Sequence, residues 1–307
     1  MQTMRHPSLA FFRVLTIGIS LIALTGSLIA CQPAPTDEGS EVSTAAQTIE
    51  NKGSDTLVNL ALAWAETYMA AHAEVRISVT GGGSGTGIAA MINGTVDIAN
   101  ASRAMKPEEI AAAEENGITP VEFVVARDAI AVVVHPSNPV DNLTLAQISA
   151  IYTRQITNWS DVGGEDRPIV LLSRESNSGT YVYFLENVIR MGEDSDLLFS
   201  PDTLLMPSSE GISAEVRQNP NAIGYDGLGY VTDDQKVIAV ARDAGGPYVR
   251  PSVATVNDDS YPISRPLYMY TAGEPTGATL TYVEWILGNG QALVSELGFV
   301  PLEEGGE

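Results

Sequence analysis

From Asn51 onward, apolar runs of strand length alternate with segments whose apolar residues recur at helical spacing. That alternation commits the chain to an α/β fold, strands flanked by helices. Leu57, Leu60, Ala61, Trp64 and Tyr68 mark one face of a first helix, and Val75, Ile77 and Val79 an alternating strand. Ile88, Met91 and Ile92 mark a second, shorter helix. Phe123 to Val125 and Ala129 to Val134 form a nearly continuous apolar stretch interrupted by Arg127-Asp128, as expected of one segment passing between two lobes. His135-Pro136-Ser137-Asn138-Pro139 ends it. A helical segment around Leu145, Ile148 and Tyr152 follows, then a buried strand at Ile169 to Leu172 and a helix with Tyr181, Phe184, Leu185 and Val188 on one face. After Gly224-Tyr225 the chain is rich in Gly, Asp and Pro until Tyr261, where Pro262 to Tyr270 reads as a strand returning to the first lobe. Helical segments at Ala278 to Leu287 and Gln291 to Leu297 close the pattern, which contains no internal repeat.

With 307 residues, 44% of them hydrophobic and 18% charged, the chain has the composition of one that buries a core. A formal charge of −22 argues against nucleic acid and against an anionic membrane surface, both of which need clustered Lys and Arg. For an anion binder this sign repels the ligand at long range. Capture would then rest on short-range hydrogen bonds inside a cleft.

The single cysteine, Cys31, excludes an intrachain disulfide and informs through its position. Arg5 and Arg13 precede an apolar stretch from Val14 to Ile29, which ends in Leu28-Ile29-Ala30-Cys31. This is the layout of a signal peptide over residues 1–30, and the stretch is short for a membrane span. The four residues ending at Cys31 resemble the bacterial lipobox, in which the cysteine is lipidated and becomes the new N-terminus. Gln32 to Gln47 are polar and unpatterned, so residues 31–48 are expected to be a lipidated cysteine and a flexible tether. The expected location is extracytoplasmic, with the membrane reached through the lipid anchor alone.

Three helices are predicted to open with the same chemistry: Gly53-Ser54-Asp55-Thr56, Gly83-Ser84-Gly85-Thr86-Gly87 and Ser178-Gly179-Thr180. The first turn of a helix leaves about four N–H groups unpaired and carries roughly half a positive charge, which makes it an anion site. Glycine lets an oxyanion approach the backbone, and a hydroxyl adds a donor. Taken singly, each start also suits a plain N-cap. Arg174 adds weight: it ends a buried strand four residues before Ser178, and its planar fork suits a tetrahedral oxyanion. Arg103, just after another short strand, could reach the same point, although either arginine alone also suits a solvated surface.

Together with Ala101-Ser102-Arg103-Ala104-Met105, Asn158-Trp159, the run from Arg174 through Thr180, and Ala222-Ile223-Gly224-Tyr225, these motifs resemble the phosphate-binding protein of the bacterial phosphate ABC transporter. They occur in that family's order over nearly the whole chain beyond Cys31. The resemblance implies a two-lobed periplasmic-binding-protein-like (type II) fold, with lobe I at residues 49–125 and 260–307, lobe II at 126–259, and the ligand in the cleft. It implies inorganic phosphate as ligand, a membrane permease as partner, no cofactor, no metal and a monomer. Ser54, Thr56, the Leu57 amide, Ser84 and Arg103 would bind from the first lobe, and Arg174, Ser178, Gly179 and Thr180 from the second. One branch of the family carries an aspartate, which accepts the proton of hydrogen phosphate, where this chain has Arg103. The acceptor would then be Asp128, between the two apolar runs, or Asp55 at the first helix start.

Other functions fit less well. A phosphoester hydrolase lacks support, since only His6, His72 and His135 are present, with no metal-ligand spacing, and Gly83-Ser84-Gly85 does not complete a nucleophile elbow. Gly85-Thr86-Gly87-Ile88-Ala89-Ala90 matches a relaxed dinucleotide fingerprint but lacks the acidic residue about twenty positions on. Sulfate, tungstate, molybdate or a phosphonate remains open as ligand, because helix termini and arginine do not distinguish tetrahedral oxyanions. So does an interaction module without a ligand.

Overall fold

A single 14-residue strand, Val121–Val134, organises the molecule. The computed structural model describes residues 46–302, so the expected signal peptide, Cys31 and most of the expected tether lie outside the described residues. Before that strand come β1 (Gln47–Gly53), α1 (Asp55–Ala71), β2 (Val75–Thr80), α2 (Ser84–Ile92), β3 (Ile98–Ala101) and α3 (Pro107–Glu115); the strand itself is β4. After it come β5 (Asn142–Thr144), α4 (Leu145–Tyr152), β6 (Val170–Arg174), α5 (Gly179–Phe184), β7 (Leu204–Met206), α6 (Ser209–Gln218) and β8 (Ala222–Gly227). The remainder is β9 (Lys236–Val237), β10 (Ala239–Ala241), α7 (Val253–Asn257), β11 (Ser264–Thr271), α8 (Gly277–Leu287) and α9 (Gln291–Glu296).

The main sheet runs β2-β1-β3-β11-β4-β8-β6-β7, with β9 also on β4. Strands β1, β2 and β3 are parallel, while β11 lies antiparallel between β3 and β4. Residues Val121–Ala129 of β4 pair with β11, and Ile130–Val134 pair with β8, so one strand serves two half-sheets. The halves have separate cores. Val125 and Ala126 join Leu57, Leu60, Trp64, Tyr282 and Ile286; Ile130, Val132 and Val134 join Ile148, Tyr152, Trp159 and Phe184. Each fully buried aliphatic side chain contributes about 1.5–3 kcal/mol, so either half has apolar contacts of its own to hold it. The result is a two-lobed α/β fold.

The apolar face read for α1 is buried at every predicted position, from Leu57 to Tyr68. The helix read through Val188 is α only as far as Phe184; Leu185–Ile189 continue as a π turn, in which Val188 and Ile189 stay buried. Strand β1 escapes an apolar-run reading because Ile49 is its only apolar residue, yet it lies between β2 and β3. Its parallel neighbours supply the pairing that its side chains do not announce. Among the described residues no helix is long and apolar enough to cross a membrane.

Candidate oxyanion-binding site

The starts of α1, α2 and α5 meet at one point. Gly83, the N-cap of α2, sits at φ +89°, and a Cβ there would come within 2.7 Å of Asn177 O in the loop before α5. Only glycine both adopts that backbone and admits that approach. The contact is reinforced from both sides: Gly85 N donates to Asn177 O at 3.1 Å, and Asn177 Nδ2 donates to Gly82 O at 2.8 Å. Gly179 packs so closely that a Cβ on it would overlap Ser84 Oγ and lie 2.6 Å from Ser102 Oγ. Thr56 Oγ1 of α1 is 2.9 Å from Thr180 Oγ1 of α5.

Donors without acceptors collect here. Among the described residues, the amides of Thr56, Ser84 and Gly179 find no hydrogen-bond acceptor, and the Ser54 hydroxyl and Arg174 Nε are buried without a partner. An unsatisfied buried donor costs about 1–3 kcal/mol, so a cluster of them at three helix N-termini is a place prepared for an anion. The other predicted groups already make hydrogen bonds, the amide as donor and the two hydroxyls as acceptors. The Leu57 amide closes the first turn of α1 on Ser54 O at 3.1 Å, and Ser178 Oγ accepts from the Thr180 amide at 3.2 Å. Ser84 Oγ accepts from the Ser102 amide at 3.0 Å.

Each nominated charge has a partner. Arg174, 1% exposed at the end of β6, donates through Nη2 to Asp55 Oδ2 at 2.7 Å and through Nη1 to Ser209 Oγ at 3.0 Å. The other oxygen of Asp55 accepts from the Gly82 amide at 2.8 Å. Arg103 turns its fork to Glu109 on α3, with Nη1 and Nη2 at 2.7 and 2.6 Å from the two carboxylate oxygens. Asp128 is fully buried and pairs with Arg265 Nη2 at 3.0 Å, its other oxygen accepting from the Leu228 amide at 3.2 Å. Burial pushes the Asp128 carboxyl up, and the Arg265 charge opposes that shift.

Two participants carry no role in the sequence reading. Arg265 on β11 faces Asp128 in register on β4 and donates to Thr180 Oγ1 at 3.0 Å, Thr56 Oγ1 at 3.4 Å and Ser102 O at 2.8 Å. It therefore ties α1, α5, β4 and the residue that follows β3 together. The signal for it was present: Ile263, Arg265, Leu267 and Met269 fall on one face by strand alternation, and all four are buried. Ser102 lay inside a quoted motif but was given no contact. Beside the cluster opens a cleft of about 340 Å³ whose lining includes Arg103, Lys106, Tyr183, Arg265 and Tyr268. Among the described residues no group of three or more His, Cys, Asp or Glu could hold a metal ion.

Two lobes sharing one long strand, with converging helix starts rich in free donors, define a binding protein of the periplasmic class. The sequence matches the PBP superfamily domain over residues 38–289. It is 34% identical over 272 residues to the phosphate-binding protein PstS of Pseudomonas aeruginosa, covering 83% of each chain. The fold is similar to a phosphate ABC transporter substrate-binding protein from Clostridium perfringens with bound phosphate, at 32% identity and a TM-score of 0.75, covering 84% of this chain and all of that one. An ABC-type phosphate transport receptor from Vibrio cholerae is similar at 30% identity and a TM-score of 0.67, with 83% of this chain and all of the other covered. The chain belongs to the PBP superfamily and, within it, to the phosphate-binding proteins of phosphate ABC transporters.

Proposed function

We propose that this chain binds inorganic phosphate in the cleft between its lobes, outside the cytoplasm, and delivers it to the permease of an ABC transporter. One observation carries the reading: unpaired amides at three helix starts converge with a buried, unpartnered hydroxyl. Thr56, Ser84 and Gly179 offer backbone N–H groups, Ser54, Thr56, Ser84, Ser178 and Thr180 offer hydroxyls, and Arg174 offers Nε and its charge. Arg103 lines the neighbouring cleft rather than the anion point, because Glu109 already holds its fork. Lobe I comprises residues 49–125 and 260–307, lobe II residues 126–259, and the lipidated Cys31 tethers the monomer to the membrane. The chain acts by binding rather than by catalysis, in keeping with relatives named as binding and transport proteins. Binding favours the closed form, since donors from both lobes reach one anion only there.

Calorimetric titration of anion-stripped protein with phosphate and then with sulfate tests this. Phosphate is expected to bind and to be preferred. A protein that binds neither overturns the reading, and one that prefers sulfate changes the ligand.

A further inference from the structure

Behind Arg174 lies a second carboxyl that the site has not used. Asp226, on β8, is 1% exposed, and its Oδ2 is buried without a hydrogen-bond partner, while Oδ1 accepts from the Gly227 amide at 2.9 Å. Ser209, the first residue of α6, bonds Arg174 and lies within reach of the Asp226 carboxyl. Arg174 Nη1 donates to Ser209 Oγ at 3.0 Å, which leaves the Ser209 O–H free to turn toward the Asp226 carboxyl. The next residue, Gly227, is wedged against the site itself: a Cβ on it would lie 3.1 Å from Asp128 Oδ2 and 3.2 Å from the Thr56 methyl.

We propose that Asp226 is a proton-linked positioning residue of the phosphate site, acting through Ser209 and Arg174 so that its protonation strengthens anion binding and its ionisation weakens it. The inference rests on the phosphate reading above. Ionised, Asp226 adds a second negative charge beside the Arg174 guanidinium, which Asp55 already contacts, and so reduces what the arginine offers an incoming anion. Protonated, it leaves that charge to the ligand.

The surroundings set where this exchange occurs. The charged groups around Asp226 are Arg174 on β6, Asp128 on β4, Asp55 on α1 through its bond to Arg174, and Glu210 on α6, which acts with Asp226 on Tyr230. Burial pushes the Asp226 carboxyl up to about 7, and Asp128 pushes the same way. Ser209, Arg174 and the Gly227 amide pull it down. A bound anion adds a like charge and raises it further, so binding near neutrality takes up a proton at Asp226. By linkage, affinity must fall as pH rises through about 7.

Phosphate titrates in the same range, so the informative quantity is the ratio of dissociation constants, wild type over Asp226→Asn, measured by calorimetry with inorganic phosphate from pH 5.5 to 8.5. A permanently neutral amide abolishes the linkage while the ligand's own titration cancels. The ratio is expected to rise at least threefold over that interval, the wild type binding more weakly than the variant at the alkaline end. A flat ratio overturns the proposal and leaves the phosphate site standing. Absence of phosphate binding by the wild type at every pH overturns the underlying reading instead. Should Asp226→Asn fail to fold, Asp226→Val, close to the same volume, takes its place. Failure of both, judged by circular dichroism, assigns Asp226 to stability and overturns the proposal.

Discussion

Two buried aspartate–arginine pairs stand within the same site and differ in what they join. Asp128 and Arg265 are neighbours in register on adjacent strands, 0% and 1% exposed along their side chains, and their partners fix both. Asp55 and Arg174 come from α1 and β6, 119 residues apart, and Asp55 keeps 14% of its side chain exposed. The first pair is a fixed strut under the three helix starts. Both pairs join residues assigned to opposite lobes, so what separates them is access to water: Asp55 can be rehydrated where Asp128 cannot. The same chemistry is thus sealed from water in one place and open to it in the other.

The comparison breaks most readily at the strut. Removing one member of a fully buried pair strands the other, at about 3–5 kcal/mol, so Asp128→Ala should lose that much stability in urea unfolding as Arg265 remains buried without a counter-charge. A loss below about 1 kcal/mol would show that Arg265 finds another route to water. The Asp55–Arg174 pair should respond in affinity instead. A hydrogen bond to a charged group contributes about 1.5–3 kcal/mol, and about 1.4 kcal/mol is tenfold, so Arg174→Ala should weaken phosphate binding at least tenfold. Its stability loss should be smaller than that of Asp128→Ala. An unchanged dissociation constant in a folded Arg174→Ala protein would remove that residue from the site.

Much of the fold was legible because its helices bury strictly periodic faces, as α1 does from Leu57 to Tyr68. The elements that escaped are the polar ones. In β1 only Ile49 is apolar, and α6 buries only Ile212 and Val216 among apolar residues. Missing α6 also hid Ser209, and with it the link from Arg174 toward Asp226. The glycine-and-hydroxyl helix starts were readable because their chemistry is local. The pairing of charges was not, because it depends on register between β4 and β11 and on loops that meet far apart in sequence. Arg103 illustrates the difference: its position pointed toward the anion, while a bidentate contact with Glu109 six residues on claims its fork.

The central claim is that one phosphate is held by helix starts from both lobes, and a crystal structure of the phosphate complex tests it most directly. The account predicts phosphate oxygens at hydrogen-bond distance, about 2.7–3.2 Å, from the amides of Thr56, Ser84 and Gly179, with Arg174 Nε on the same anion. Phosphate found instead in the neighbouring cleft against Arg103, Lys106 and Tyr183, with those amides still unpaired, would contradict it.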